Sequence, residues 1–376
     1  MGALDGIRIL DFSRAVAGPY ASMMLADHGA DVIKLEEPTT GDESRGWAPW
    51  IGGESTYFMA VNRNKRSVAL DLNTDEGRAT VRRLIPGQDV LIHNYRPRYA
   101  DRVGLGWAEV RALNPRLILC SVSGWGPDGP YADRPAYDLF VAGVGGLMSV
   151  TGEPDGPPQR PGINLVDHLA ATNAVAGILL ALRARDATGS GQLVEISMLE
   201  SLLAVSGHVI GAHAATGRVP RAASHSQHAQ IVPYGTFATA DGYINVGVLH
   251  DRRWPPFCSL IGRPEWISDP RFTSNAQRAE HRDELLAELN PVFAGRGSAE
   301  WLDLLEAAGV ACGPINSFAE VVQDPQVEQQ EMLTRMSHST AGDITMVRSP
   351  IRLSATPATL RTPPPRLGEH TEEVLS

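Results

Sequence analysis

One aspartate stands where a carboxylate could do chemistry. Asp167 ends the stretch Pro161 to Asp167, directly ahead of the apolar run His168 to Leu182, and so lies at the mouth of an expected buried helix. Two readings are open for it. It can cap the helix by accepting the orphan amide hydrogens of the first turn, or it can act as a nucleophile. Downstream of the fifth expected strand, Gly143 to Gly146 offers glycine amides, Gly145 and Gly146 among them, that either face a developing oxyanion or simply turn the chain. Two basic clusters follow expected strands: Arg63 to Arg66, and Arg96 to Arg98 with Arg102. Each alone reads as a solvated face. Together they suit a phosphate clamp, because arginine presents a planar fork of donors and lysine a point charge, and a ligand bearing a pyrophosphate and a 3'-phosphate, such as coenzyme A, would use them.

Other residues carry less. Cys120, Cys258 and Cys312 are far apart and odd in number, which fits neither a disulfide framework nor a CxxC metal site. His225 and His228 lack a neighbouring acid or cysteine to complete a ligand set, so no metal is expected. A net charge of -10 argues against nonspecific nucleic-acid binding, which needs clustered cations. With 376 residues and 43% hydrophobic content the chain can bury a full core in two domains. No basic leader precedes a long apolar stretch, and runs such as Ala174 to Leu182 are too short to span a bilayer, so no membrane association and a cytoplasmic location are the expectations.

The elements that must position these residues read as α/β. Ile7 to Phe12 is expected as a strand, Pro19 to Gly29 as a helix and Asp31 to Leu35 as the next strand, a βαβ unit with a right-handed crossover. Glu36 falls where a dinucleotide-binding fold puts its ribose carboxylate, but Ser13 to Pro19 has no GxGxxG fingerprint, which disfavours a nicotinamide cofactor. Further strands are expected at Ser67 to Leu72, Val90 to Asn94, Leu117 to Val122 and Leu193 to Ser197, and a helix at Thr74 to Ile85. The polar segment Thr216 to Gln230 leads into a second domain. Its strands Gly235 to Thr239 and Tyr243 to Val248 are joined by Asp241-Gly242, and helices are expected at Asp251 to Ile261, Arg278 to Ala294 and Ala299 to Ala308.

Nearly the whole chain resembles the class III CoA-transferases, the CaiB/BaiF family. The likeness rests on the order and spacing of Leu4 to Phe12, Ala17 to Pro19, Leu25 to Glu36, Gly41-Asp42, Arg45 to Trp47, Asn62 to Ser67, Asn94 to Pro97, Asn114 to Ile118, Ser123 to Gly126 and Tyr137-Asp138. It continues through Thr151 to Pro158, Pro233 to Gly235, Gly313-Pro314 and Leu367 to Glu372. The resemblance implies a Rossmann-like large domain over 1–215, a smaller α+β domain over 216–325, and a return segment over 326–376 that packs on the large domain. It also implies a homodimer of interlocked rings.

For the site, the resemblance makes Asp167 the nucleophile. It would attack an acyl-CoA thioester, release CoA, form an aspartyl-CoA thioester from the resulting anhydride, and pass CoA to a free carboxylic acid. No cofactor beyond the CoA substrate is implied. Asp138 becomes a second carboxylate near the nucleophile, where it raises a pKa, orients a neighbour or only caps a local helix. Arg14, Ala17, Lys65, Arg66, Asn94, Tyr95, Arg96 and Arg102 become CoA contacts. Departures from the formyl-CoA transferase branch at Val16, Glu37 and Pro135, and Ala222 to His228 in place of its glycine-rich flap, disfavour formyl-CoA and oxalate. A short-chain or dicarboxylic acid, with succinyl-CoA as donor, is the expectation. The alternatives are a 2-methylacyl-CoA racemase, whose branch has histidine where this chain has Tyr137, and a non-catalytic acyl-CoA binder.

Overall fold

A computed structural model describes residues 1–376, which divide into two compact units. The large unit comprises Met1–Leu147, Pro161–Thr216 and Pro325–Ser376. Its centre is a six-stranded parallel sheet built from β1 (Arg8–Asp11), β2 (Asp31–Glu36), β3 (Lys65–Ala69), β4 (Val90–His93), β5 (Ile118–Ser123) and β6 (Leu193–Ser197). The spatial order is β3-β2-β1-β4-β5-β6. Strands buried on both faces read as unbroken apolar runs rather than alternations, and Ile9, Leu10, Leu91, Ile92 and Ile118 are fully buried accordingly. Register puts Leu10 opposite Ile33 on one side and Leu91 on the other. These side chains, with Phe12 and Leu119, form one core.

The main helices of this unit are α1 (Ala17–Asp27), α2 (Asp75–Leu84), α3 (Pro97–Arg102), α4 (Trp107–Leu113), α5 (Asp138–Val144), α6 (Leu165–Thr188), α7 (Met198–Val205) and α8 (Gly207–Thr216). Local chemistry explains α2 well. Thr74 caps it by accepting the Gly77 amide at 3.0 Å, acids occupy its first turn, and Arg82 and Arg83 its last, as the helix dipole favours. Helix α6 is longer than the sequence runs suggested: at 24 residues, with an 18-residue window of mean hydropathy 1.6, it has the length and composition to cross a bilayer. Here its inner face packs on α1, β5 and β6. Gly177 permits that approach, since a Cβ there would lie 2.6 Å from Val194 Cγ1.

Residues 325–376 belong to the large unit. They form a hairpin of two strands, Leu333–His338 and Gly342–Val347, and a final short helix Thr371–Leu375. The segment before that helix lies along the free edge of β3, where the His370 amide donates to the Ser67 carbonyl at 2.9 Å and the Ala69 amide to Thr371 Oγ1 at 3.0 Å.

The small unit comprises Met148–Arg160 and Gly217–Asp324. Residues 148–160, placed in the large domain by the sequence expectation, fall here instead. The reason is local: the Glu153 carboxylate accepts from Ser224 Oγ at 2.7 Å and from the His225 amide at 3.0 Å. A three-stranded antiparallel sheet of β7 (Tyr234–Ala238), β8 (Tyr243–Gly247) and β9 (Ala311–Pro314) packs with α9 (Trp254–Leu260), α10 (Arg282–Ala294) and α11 (Ser298–Ala307) around Phe237, Trp254, Phe293 and Trp301. Strand β9 has no counterpart in the sequence expectation. The expected helix over Arg278 to Ala294 is broken at His281, where a short helix Asn275–Glu280 ends and α10 begins.

Candidate active site

Asp167 does not cap helix α6. The helix starts two residues earlier, at Leu165, and its N-cap residue Asn164 makes no side-chain capping bond. That role falls to a residue distant in sequence. Asp138, buried at the first position of α5, points Oδ2 at the open end of α6 and accepts the amides of Val166 at 2.8 Å and Asp167 at 3.3 Å. A carboxylate is favoured there by both the orphan amides and the helix dipole. The side chain of Asp167, half-buried in the first turn, is thereby relieved of capping. Burial, and then the charge of Asp138, push its carboxyl up to about 7. His168, one residue on, holds the Asn164 carbonyl through Nδ1 and packs edge-on against Tyr20 of α1.

The strand order reverses direction between β1 and β4, and the crevice beyond the carboxyl ends of such a pair is where open α/β sheets take ligands. Two loops meet there. The Asn94 carboxamide, just past β4, accepts the Arg14 amide at 2.9 Å and donates to the Arg14 carbonyl at 2.8 Å. The Arg14 guanidinium lies 5.4 Å from the centre of the Tyr95 ring. Tyr95 stacks on His93 and meets Tyr99 edge-on, and the exposed Arg102 sits over Tyr99 at 4.7 Å. Arg14, Asn94, Tyr95 and Arg102 are thus brought together as an aromatic ladder with a cation at each end. Ala17 opens α1 at the same crevice and is buried.

Glu43 links Arg14 of the crevice to Tyr137. Partial burial and then Asp42 raise its carboxyl, while Arg14 and a hydrogen bond from Tyr137 pull the other way. Tyr137 directly precedes Asp138. Neither Glu43 nor its link to Tyr137 was visible in the sequence, because the two residues are far apart in the chain and share no motif.

Other expected contacts are placed differently. Lys65 has no exposed side-chain surface: Nζ pairs with Asp11 at 3.0 Å and donates to the Pro19 carbonyl and to Asn62 Oδ1. Burial pushes the Asp11 carboxyl up, yet the ammonium groups of Lys65 and then Lys34 overcome it and hold the group at about 2. Arg66 is engaged by Asp31 and Glu373, and Arg63 by Asp27. The first basic cluster is therefore a set of ion pairs with Asp27 of α1, Asp11 of β1, Asp31 of β2 and Glu373 of the final helix, and these replace the phosphate clamp expected of it. Arg96 and Arg98 are drawn to Asp133, one through the backbone carbonyl and one through the carboxylate.

The glycines also differ from expectation. Gly145 and Gly146 close the far end of α5, where their amides donate to the carbonyls of Val141 and Gly143. Amides committed to a helix C-terminus do not line an oxyanion hole. In the small unit His228 uses Nδ1 to accept the Gln230 and Ile231 amides, a backbone role. The three cysteines are free thiols, and burial pushes that of Cys120 to about 12.

The sequence pattern of CoA-transferase family III matches residues 4–371. The chain belongs to that family. It is thus a CoA-transferase, an enzyme that moves CoA from an acyl-CoA thioester to a free carboxylic acid. It is 37% identical to the succinyl-CoA:glutarate CoA-transferase of Mus musculus, a match covering 100% of this chain and 86% of the relative. It is also 37% identical to the succinate–glutarate CoA-transferase of Agrobacterium fabrum, covering 99% and 95%. Among solved structures, a CaiB/BaiF family protein from Brucella suis superposes with a TM-score of 0.87 at 35% identity, covering 99% of this chain and 98% of that one. The Rossmann-like sheet of this CoA-transferase is accordingly the family's fold.

Proposed function

We propose that this CoA-transferase exchanges CoA between two dicarboxylic acids, with succinyl-CoA as donor and a short dicarboxylate as acceptor, and that Asp167 is the nucleophile. The observation that carries the reading is the division of labour at the mouth of α6: Asp138 holds the helix amides, and Asp167 is left as a second carboxylate beside it with its pKa raised to about 7. The acids that the relatives are named for support the substrate class.

The steps balance without redox chemistry or ATP. An Asp167 oxygen attacks the thioester carbonyl, the C–S bond breaks, and CoA thiolate leaves from a mixed anhydride. The thiolate then attacks the aspartyl carbonyl, releasing the donor as a carboxylate and leaving an aspartyl-CoA thioester. Acceptor carboxylate attacks that thioester to give a second anhydride, and thiolate attacks its acceptor carbonyl, regenerating Asp167 and releasing the new acyl-CoA. Water must be kept from every intermediate, and the partial burial of Asp167 serves that need. CoA itself lies along the crevice of Arg14, Asn94, Tyr95 and Arg102, where aromatic faces suit an adenine and the cations its phosphates.

The enzyme acts in the cytoplasm as a homodimer. Exposed Leu139, Phe140, Val144, Leu180 and Val205 on α5, α6 and α7 form the kind of apolar surface that a second copy covers. Incubation with succinyl-CoA and a panel of free mono- and dicarboxylic acids, with new thioesters read by mass, tests the substrate class. Transfer confined to monocarboxylic acids overturns it.

A further inference from the structure

Arg14 is fixed through its main chain, and the groups that fix it come from three separate strands and loops. The peptide unit joining Ser13 to Arg14 has its carbonyl bound by Lys34 Nζ at 2.8 Å and its amide by Asn94 Oδ1 at 2.9 Å. The next unit, joining Arg14 to Ala15, has its carbonyl bound by Asn94 Nδ2 at 2.8 Å and its amide by Asp42 Oδ1 at 3.0 Å. Both peptide planes flanking Arg14 are thus held at both polar ends by side chains. Ala15 needs such restraint, because its φ of 65° lies in the left-handed region that residues with a Cβ seldom adopt.

Lys34 and Asp42 are themselves joined, Nζ to Oδ2 at 2.9 Å, with both side chains fully buried. Asp42 is further set by the Ser44 amide and hydroxyl. Gly41, at φ 69°, makes the turn that brings it there, since a Cβ would come within 2.9 Å of Arg45 and Glu36 side-chain atoms. A buried ion pair is weak evidence of stabilisation, since well-packed apolar residues often serve as well, and it is better suited to fixing one geometry.

We propose that the Lys34–Asp42 pair is a positioning device that holds Arg14 in the crevice to meet an anionic group of the CoA substrate. The proposal rests on the reading that Arg14 contacts CoA. Neither Lys34 nor Asp42 touches substrate, and both act through the backbone of residues 13–15. An apolar pair in their place would leave the fold standing and the loop free to sample other conformations, so that the guanidinium would be poised only part of the time.

A double-mutant cycle tests it. Arg14→Ala in the otherwise unaltered enzyme is expected to weaken coenzyme A binding, measured by calorimetry, about tenfold, the effect of one charge-assisted hydrogen bond. Lys34→Met/Asp42→Leu removes both charges without orphaning either. It should weaken coenzyme A by a similar factor, leave kcat at saturating acyl-CoA unchanged, and reduce the further effect of Arg14→Ala to under about twofold. Lys34→Met/Asp42→Asn returns an acceptor to the Ala15 amide and should restore most of the affinity. If the leucine variant does not fold, Lys34→Met/Asp42→Ala, which also takes the acceptor from the Ala15 amide, carries the same cycle. A full effect of Arg14→Ala in a background that lacks the residue 42 acceptor overturns the positioning role alone. Unchanged coenzyme A binding in Arg14→Ala overturns the placement of CoA at Arg14 and the proposal with it, while leaving the role of Asp167 standing.

Discussion

Asp138 reaches across from another helix to take the backbone amide of Asp167, and by doing so separates two tasks that a single aspartate at a helix mouth would combine. Capping goes to the residue whose carboxylate accepts two amides. The residue left over keeps a poorly solvated carboxylate next to a like charge, which raises its basicity and its reactivity toward an acyl carbon.

Replacing the proposed nucleophile should remove activity and little else. Asp167→Ala is expected to lower kcat by more than about 1000-fold, because no other group in the first turn can form the anhydride. Circular dichroism should be unaltered, since the cap is on Asp138. Retention of a tenth of the activity would exclude the role.

The pH profile should report the pair. Asp167 must be ionised to attack, so kcat/KM at low substrate rises with pH and levels off above about 7. Asp138→Asn keeps an oxygen for the α6 amides while removing the like charge, so its rising limb should move to lower pH. An unmoved limb would mean that burial alone sets the basicity.

Stability should respond in the opposite sense. A carboxyl whose folded pKa lies above its unfolded value of 3.8 contributes fully below that value and loses its contribution as pH rises through about 7. Asp167→Asn, which mimics the protonated form, should therefore match the parent Tm near pH 4, exceed it increasingly up to pH 7, and hold a constant advantage above. Equal melting temperatures at pH 8 would contradict the raised pKa.

Lys65 and Arg102 should part company. Lys65→Ala strands the buried Asp11 carboxylate, a loss on the order of 3–5 kcal/mol for a broken buried pair, and should show as a lower Tm. Arg102→Ala should leave Tm unchanged, raise KM for every acyl-CoA alike, and reduce the salt dependence of binding. A KM effect from Lys65→Ala without destabilisation would restore its place among the CoA contacts.

Isomerase chemistry requires a proton carrier on each face of the α-carbon. Tyr137 stands where the racemase branch has histidine, and its hydroxyl is engaged with Glu43. No solvent deuterium should enter the α-carbon of a 2-methylacyl-CoA, whereas an added acceptor acid should yield a second thioester. Rapid exchange without acceptor would point to an isomerase.

The sheet was legible because its strands are short apolar runs between glycines and charged turns, and five of the six lie within two residues of their expected starts and ends at both termini. The third slid toward the N-terminus, since Lys65 and Arg66 look like loop residues until their acids on the first and second strands are known. The same blindness affects the site. A sequence shows that Arg63 to Arg66 is basic, and only the fold shows that Asp27, Asp11 and Asp31 already neutralise it. Gly145 and Gly146 likewise look free until the helix they terminate is seen to use their amides. Resemblance singles out Asp167, but its exemption from capping follows from Asp138, a contact across 29 residues that periodicity cannot reveal.

The strip of chain lying along β3 joins positions 303 residues apart, His370 to Ser67. An open strand edge is a template for pairing with another molecule. In a growing or refolding chain this edge stays uncovered until the whole of the small unit has been made and the chain has come back, so the large unit reaches its finished state late. Chaperone dependence and aggregation on fast refolding are the expected marks of that delay, and loss of residues 368–371 should make them permanent.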